Sequence, residues 1–309
     1  MLKSVLLSVS VLALIACGAQ SSADAAPAPE QSKAAAPVEK NITIKDLGND
    51  FYMLLGPGGN IGVSVGEDGV YVIDDKFARF GEEIIARIGE ITDQPIKYVL
   101  NTHHHGDHTG ANAVMKTTGA TVMAHDNIRV RMSEPYKSSR SETGMSQPTD
   151  PSLWPTLTFS DTTTLHFNGH TVKQIHVPSS HTDGDSIVHF VEANIVHMGD
   201  NFFLGMFPFV DVDSGGNLNG MIAAQEKVLS MINADTQVIP GHGPLAGRAE
   251  LESSIATLKT IRDRVQKHMT DGKTLDEIIA AKPLADMSDM NGFIKEDGMV
   301  TAAYRSLQN

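Results

Sequence analysis

NTHHHGDHTG, residues 101–110, places four histidines and one aspartate in the six positions from His103 to His108. Three explanations compete for such crowding. A tag would be uninterrupted and terminal. A purely structural cluster gains little, because neutral imidazoles side by side offer one another few stabilising contacts. A metal site fits the setting, since IKYVLNT (96–102) just ahead reads as a buried strand and the cluster starts at its carboxyl end. Residues two apart in extended chain project together, which pairs His103 with His105. Gly106 then permits a sharp turn before Asp107 and His108. His104, between His103 and His105, either stays out of the site or touches the molecule that the site binds.

Outward from this cluster the chain alternates strand and helix signals. Upstream, NITIKD (41–46), FYMLLG (51–56), NIGVSVG (60–66) and GVYVIDD (69–75) are short β-type runs between Gly-rich turns. Phe77, Phe80, Ile84, Ile88 and Ile91 follow at steps of three and four, the spacing of an amphipathic helix. Downstream, ANAVMKTTG reads as a short helix and TVMAH as a strand, and the polar, proline-punctuated residues 134–155 read as a surface excursion. Strands resume with TTTLHFN, HTVKQIHVP, DSIVHFV, NIVHMGD and TQVIPGHG, and helices are expected over 218–232, 249–270, 274–281 and 297–307. Two batches of strands, each followed by helices, predict two sheets face to face with helices outside. Three later strand-end loops carry further donors: His181 in VPSSHTDGDS, Asp200 at the end of NIVHMGD, and His242 in IPGHGP. Loops of this kind hold ligands on a rigid scaffold.

Composition narrows the partners. A hydrophobic content of 41% is ordinary for a chain with a sizeable core. The formal charge of −13 repels a phosphate backbone, and no basic run interleaves with aromatics, so nucleic acid is not an expected partner. The N-terminus reads as an address. Lys3 precedes an apolar run from Val5 to Ala16 that is too short for a comfortable membrane span. It ends in Leu14-Ile15-Ala16-Cys17, which resembles the lipobox of bacterial lipoproteins. On that resemblance residues 1–17 are a lipoprotein signal peptide, and the protein is periplasmic and anchored to the membrane only through its N-terminus. The alternative is an ordinary cleaved signal ending near Ala23-Asp24-Ala25. Residues 18–40, rich in Ala, Ser and Pro, have too few large apolar groups to fold and read as a disordered tether. Residues 41–309 read as one folded domain. Cys17 is the only cysteine, so the mature fold has no internal disulfide and no thiolate ligand.

Taken in order, HxHxDH at 103–108, His181, Asp200 and His242 resemble the metallo-β-lactamase superfamily over residues 42–270. The resemblance implies an α/β fold, a four-layer αβ/βα sandwich of two mixed β-sheets flanked by helices, with the metal site at one edge. It implies two zinc ions. His103, His105 and His181 would hold the first, and Asp107, His108 and His242 the second. Asp200 occupies the slot of an aspartate that bridges both ions or of a cysteine that binds one. An aspartate there is similar to the glyoxalase-like and other dinuclear hydrolase branches. The gaps of 19 residues (181 to 200) and 42 residues (200 to 242) are instead similar in length to those of cysteine-using β-lactamases. Those enzymes carry a lysine three residues later to grip the substrate carboxylate, where this chain has Phe203.

The implied activity is hydrolysis of a carbonyl compound by zinc-activated hydroxide, with Asp107 as the catalytic residue that orients the nucleophile. A small-molecule lactam or related amide is the leading substrate, and a thioester or lactone the alternative. A zinc-binding lipoprotein without catalysis is a third reading, but such proteins expose flexible His-rich tracts, whereas this ligand set is distributed over strand ends. Several other residues have two readings each. Asp74 and Asp75 either support metal-bound imidazoles or serve a turn. Asp183 and Asp185 either tie down the His181 loop or act as ligands, His125, His189 and His197 are structural, and His166, His170, His176 and His268 are solvated. GPGGN (56–60) is a flexible hairpin turn that by resemblance overhangs the metals. Phe202, Phe203, Met206, Phe207 and Phe209 are either core or the lining of an apolar entrance. Asn217 or Asn219 caps the following helix rather than offering an amide to an oxyanion.

Overall fold

Alternation of apolar side chains on short strands builds two sheets whose inner faces meet. The structure, a computed structural model, describes residues 40–308. The leader (1–17) and tether (18–40) lie outside the described residues except for Lys40, whose Nζ meets Glu90 Oε1 at 2.8 Å. The first sheet contains β1 (Thr43–Gly48), β2 (Phe51–Leu55), β3 (Ile61–Gly66), β4 (Gly69–Ile73), β5 (Ile96–Leu100) and β6 (Thr121–His125). After a small hairpin, β7 (Tyr136–Lys137) with β8 (Met145–Ser146), strand β9 (Leu157–Phe159) completes its far edge. The second sheet runs in chain order through β10 (Thr162–Phe167), β11 (His170–His176), β12 (Ser186–Phe190), β13 (Ile195–His197) and β14 (Gln237–Ile239). Both sheets are mixed. Strands β4, β5, β6 and β9 run parallel beside the antiparallel β1–β4 meander, and β13 pairs parallel with β14 in an otherwise antiparallel sheet.

Three cores make the four layers. Between the sheets, Phe51, Met53, Tyr71, Ile73 and Leu100 pack on Val172, Val188, Phe190, Ile195 and Ile239. Residues one step along the same strands point outward, as period-two alternation requires. Val70 and Val72 of β4 meet Phe80, Ile84 and Ile88, which include the buried face of α1 (Gly81–Gly89). Beyond α2 (Gly106–Thr109), α3 (Asn112–Thr117) adds Met115 to that layer. On the opposite side Ile187, Val196 and Val238 pack under α5 (Leu218–Met231), α6 (Arg248–Thr270), α7 (Leu275–Ala280) and α8 (Glu296–Ser306). The expected αβ/βα sandwich is therefore the observed one. Among the described residues no helix is long and apolar enough to cross a membrane.

Three local features differ from the sequence reading. Helix α4 (Asp126–Ser133) follows β6 directly, although DNIRVRMS buries only Ile128 and Met132. Two anchors in eight residues give a weak periodic signal, and His125 supplies the cap by accepting from the Asn127 amide at 3.2 Å. Residues 134–155 contain the β7–β8 hairpin, and Leu153 and Trp154 pack on the α4 core. His176 is not solvated: its ring stacks on His125 with centroids 3.6 Å apart.

Candidate metal centre

The parallel strands of both sheets end along one shared edge, and the donors leave from there. Backbone hydrogen bonds join the two sides: Ser186 N donates to Thr102 O at 2.8 Å and Asn60 N to Gly241 O at 2.7 Å. His103 and His105 follow β5, His181 lies between β11 and β12, Asp200 follows β13, and His242 follows β14. Close packing of the loops requires glycine at two points. A Cβ on Gly241 would lie 2.0 Å from Asp200 Oδ1, and one on Gly59 would lie 2.1 Å from the His108 ring.

All seven residues singled out in the sequence come together. His103, His105, His181 and Asp200 form one set of donor atoms, all within 4.8 Å of one another, and Asp107, His108 and His242 form a second. In the first set His181 Nε2 lies 2.9 Å from His105 Nδ1. In the second, His242 Nε2 lies 3.3 Å from Asp107 Oδ2. Asp200 stands between the sets. Its Oδ2 faces His103 Nε2 at 3.7 Å and His181 Nε2 at 3.6 Å, while its Oδ1 faces His108 Nε2 at 3.2 Å and His242 Nε2 at 3.4 Å. His103 Nε2 is buried without a hydrogen-bond partner among the described residues. Buried polar atoms are rarely left so, and imidazoles with carboxylates suit divalent ions. The residues fit a metal.

The far nitrogen of four of the five rings is held by a different partner. His108 Nδ1 meets Asp74 Oδ2 at 2.7 Å, and the same carboxylate accepts from Thr102 N at 2.7 Å and Thr102 Oγ1 at 2.8 Å. Asp74 is thus a support for an imidazole, the first of its two readings. Asp75 accepts from Ala111 N at 3.0 Å. His181 Nδ1 donates to Phe209 O at 2.7 Å, and His103 Nδ1 lies 3.1 Å from Thr102 Oγ1. His105 Nε2 meets Asp211 Oδ2 at 2.9 Å, a partner that sequence reasoning missed. The only local signal was Asp211 itself, which accepts from Ser214 Oγ at 2.8 Å in a short turn.

These surroundings separate the rings electrostatically. Burial holds His103 well below its ordinary pKa and lowers His181 to about 4. Burial acts on His108 and His242 as well, but Asp200 and neighbouring carboxylates outweigh it, raising His108 well above the ordinary value and His242 to about 9. Asp107 is lowered to about 2, because His108 and His242 outweigh its burial. Asp200 lies well below the carboxylate range, with His108, His242 and His103 again overcoming burial.

His104 and His197 lie outside the two donor sets. His104 lies beside His105 and Asp211, with Nε2 3.1 Å from Tyr136 Oη. His197 Nε2 bonds Asn60 O at 3.2 Å. Asp185 accepts from Thr182 N at 2.7 Å and Asp183 pairs with Arg131 at 2.6 Å, so both tie down their loop. Asn217 caps α5 through the Asn219 amide at 2.8 Å. The 56–60 turn is pinned rather than flexible. Asn60 Nδ2 donates to Pro240 O and to Gly243 O, each at 2.9 Å, and buried Lys76 reaches Gly59 O. The phenylalanines divide between their two readings. Phe202 and Phe207 are buried, whereas Phe203 stacks on His242 at 5.1 Å and Phe209 on His105 at 5.5 Å. Both stacked rings line a cleft of about 500 Å³ above the donors.

A sandwich with imidazoles and carboxylates gathered at its shared edge is the architecture of a metallo-hydrolase. The chain belongs to the metallo-beta-lactamase superfamily, whose family model matches residues 56–254. It is similar in fold to a metallo-beta-lactamase from Pontibacter korlensis (17% identity, TM-score 0.58), covering 71% of this chain and 99% of that one. The BLEG-1 B3 metallo-beta-lactamase is similar at 24% identity and TM-score 0.55, covering 66% of this chain and 96% of that one. A double mutant of the sec-alkyl sulfatase PisA1 is similar at 15% identity and TM-score 0.65, covering 86% of this chain and 50% of that one. No curated protein matches the chain in sequence.

Proposed function

We propose that the protein is a dinuclear zinc hydrolase of a small carbonyl substrate, with a lactam or related amide as the leading class. The observation that carries this reading is Asp200, which turns one carboxylate oxygen toward each donor set. His103, His105 and His181 would hold one ion and Asp107, His108 and His242 the other. Bound zinc supplies Lewis acidity toward the carbonyl and lowers the pKa of water to about 7. Asp107, ionised at neutral pH, accepts a hydrogen bond from the attacking water and orients it. Phe203 and Phe209, stacked on two donor rings, exclude bulk solvent from the reacting carbonyl. Membership of the superfamily supports the lactam class, and no serine or cysteine nucleophile is required. A thioester or lactone is the second reading, favoured by aspartate at 200 and by Phe203 in place of a carboxylate-gripping lysine. Export through the 1–17 leader with lipidation of Cys17 belongs to the same proposal.

The test is metal analysis of the isolated domain, followed by turnover of a lactam, a thioester, a lactone and an alkyl sulfate. Two zinc ions per chain and turnover of one carbonyl substrate are expected. A firm limit of one ion, or turnover of the sulfate alone, would sink the reading.

A further inference from the structure

The cleft above the donors has apolar walls, among them Phe77, Phe203, Met206, Phe209 and Phe293, and its lining also includes the guanidinium of Arg140. The guanidinium lies 4.6 Å from the centre of the Phe209 ring and 5.4 Å from that of Phe293. Among the described residues no carboxylate pairs with it. Stacking restricts the side chain by its faces and leaves its edge of N–H donors open. Phe209 connects this cation to the metal centre in two ways. Its ring stacks on His105 and its carbonyl accepts from His181 Nδ1 at 2.7 Å.

The backbone beneath Arg140 is also held. Ser139 N donates to Asp213 Oδ2 at 2.6 Å, and Asp213 pairs with Arg305 of α8. The same turn contributes Asp211, the partner of His105. One turn therefore sets both a donor ring and the hairpin that carries the cation. A surface arginine that merely solvates the fold needs neither two aromatic partners nor a place in the lining of a cleft.

We propose that Arg140 anchors an oxyanion of the substrate, and that the cleft takes amphiphilic anions in which a carboxylate is joined to an apolar chain. The apolar part lies along the phenylalanine walls, with the anion at the rim and the reacting bond over the donors. This deepens the hydrolase reading and rests on it for the identity of the cleft as the substrate site. It also places an anion contact on the 138–144 hairpin, away from Phe203, where the resemblance led one to look for a lysine.

The test uses octanoate and octanol as a matched pair, titrated calorimetrically into the zinc-loaded chain and the metal-stripped chain. The parent should bind octanoate in preference to octanol in both forms. Arg140→Ala should reduce that preference about tenfold or more, the effect of losing a charge-assisted contact. Arg140→Gln, which keeps the stem and its packing, should do the same, while Arg140→Lys keeps part of the preference because charge remains without the fork. An unchanged preference in Arg140→Gln, or no octanoate binding by the parent, would overturn the assignment. Octanoate held through Arg140 without turnover of any carbonyl substrate would remove the hydrolase reading and leave this contact standing. Turnover with an unchanged preference would do the reverse.

Discussion

The two halves of the donor cluster use the same residue types but are built oppositely. His103 and His181 sit in a dry pocket against a hydroxyl and a backbone carbonyl, so burial keeps them neutral. His108 and His242 are also enclosed, yet carboxylates surround them and favour their protonated forms. One half is ready for a metal at neutral pH. The other is a set of ion pairs that, on the proposed dinuclear reading, a second ion would have to displace. Environment, not residue type, separates them.

The largest effect is expected at the residue the halves share. Asp200→Asn keeps the shape but removes a charge facing both sets, and should leave about one tightly bound ion with activity down by about 10- to 100-fold or more. Asp200→Cys sharpens the comparison by placing a thiolate at that slot, and should raise lactam turnover relative to thioester turnover. An Asp200→Asn protein that binds two ions as tightly as the parent at the parent rate would remove Asp200 from the site.

A second, smaller effect distinguishes the supports. Asp74→Asn takes the carboxylate from His108 and should weaken the second ion by about 10- to 100-fold while sparing the first. Asp211→Asn takes the partner of His105 and should do the opposite. Competition with a chromogenic chelator reads both constants, and equal losses at both ions in either variant would break the division into halves.

The smallest effect is the pH profile of the metal-free chain. His181, lowered to about 4 in the fold, contributes stability that is present above the unfolded value of about 6.5 and lost as pH falls toward 4. His242, raised to about 9, contributes stability that is present below about 6.5 and lost as pH rises through 9. Melting temperature in chelator should therefore peak near pH 6.5, and zinc should abolish the alkaline decline. A profile rising steadily to pH 9 without metal would contradict the protonated half.

Much of the site was legible in the sequence because its donors are chemically unusual and fall at strand ends. HxHxDH, His181, Asp200 and His242 needed no contact information to be noticed. The sandwich was legible for a related reason, since period-two strands in two batches leave few ways to bury both faces. Helix α4 was not, because Ile128 and Met132 are its only buried anchors.

Partners brought from afar were beyond the sequence. Asp211 is 106 positions from His105, and neither its residue type nor its spacing marks it as the support of that ring. Arg140 looked like one polar residue in a surface excursion, and its position over Phe209 exists only once the hairpin is tied to Asp213. The amino-acid order by itself determined which atoms can bind a metal and where strands end. Tertiary structure decided which imidazoles stay neutral and which carry protons, because a pKa depends on burial and on charges across space, and distance along the chain measures neither.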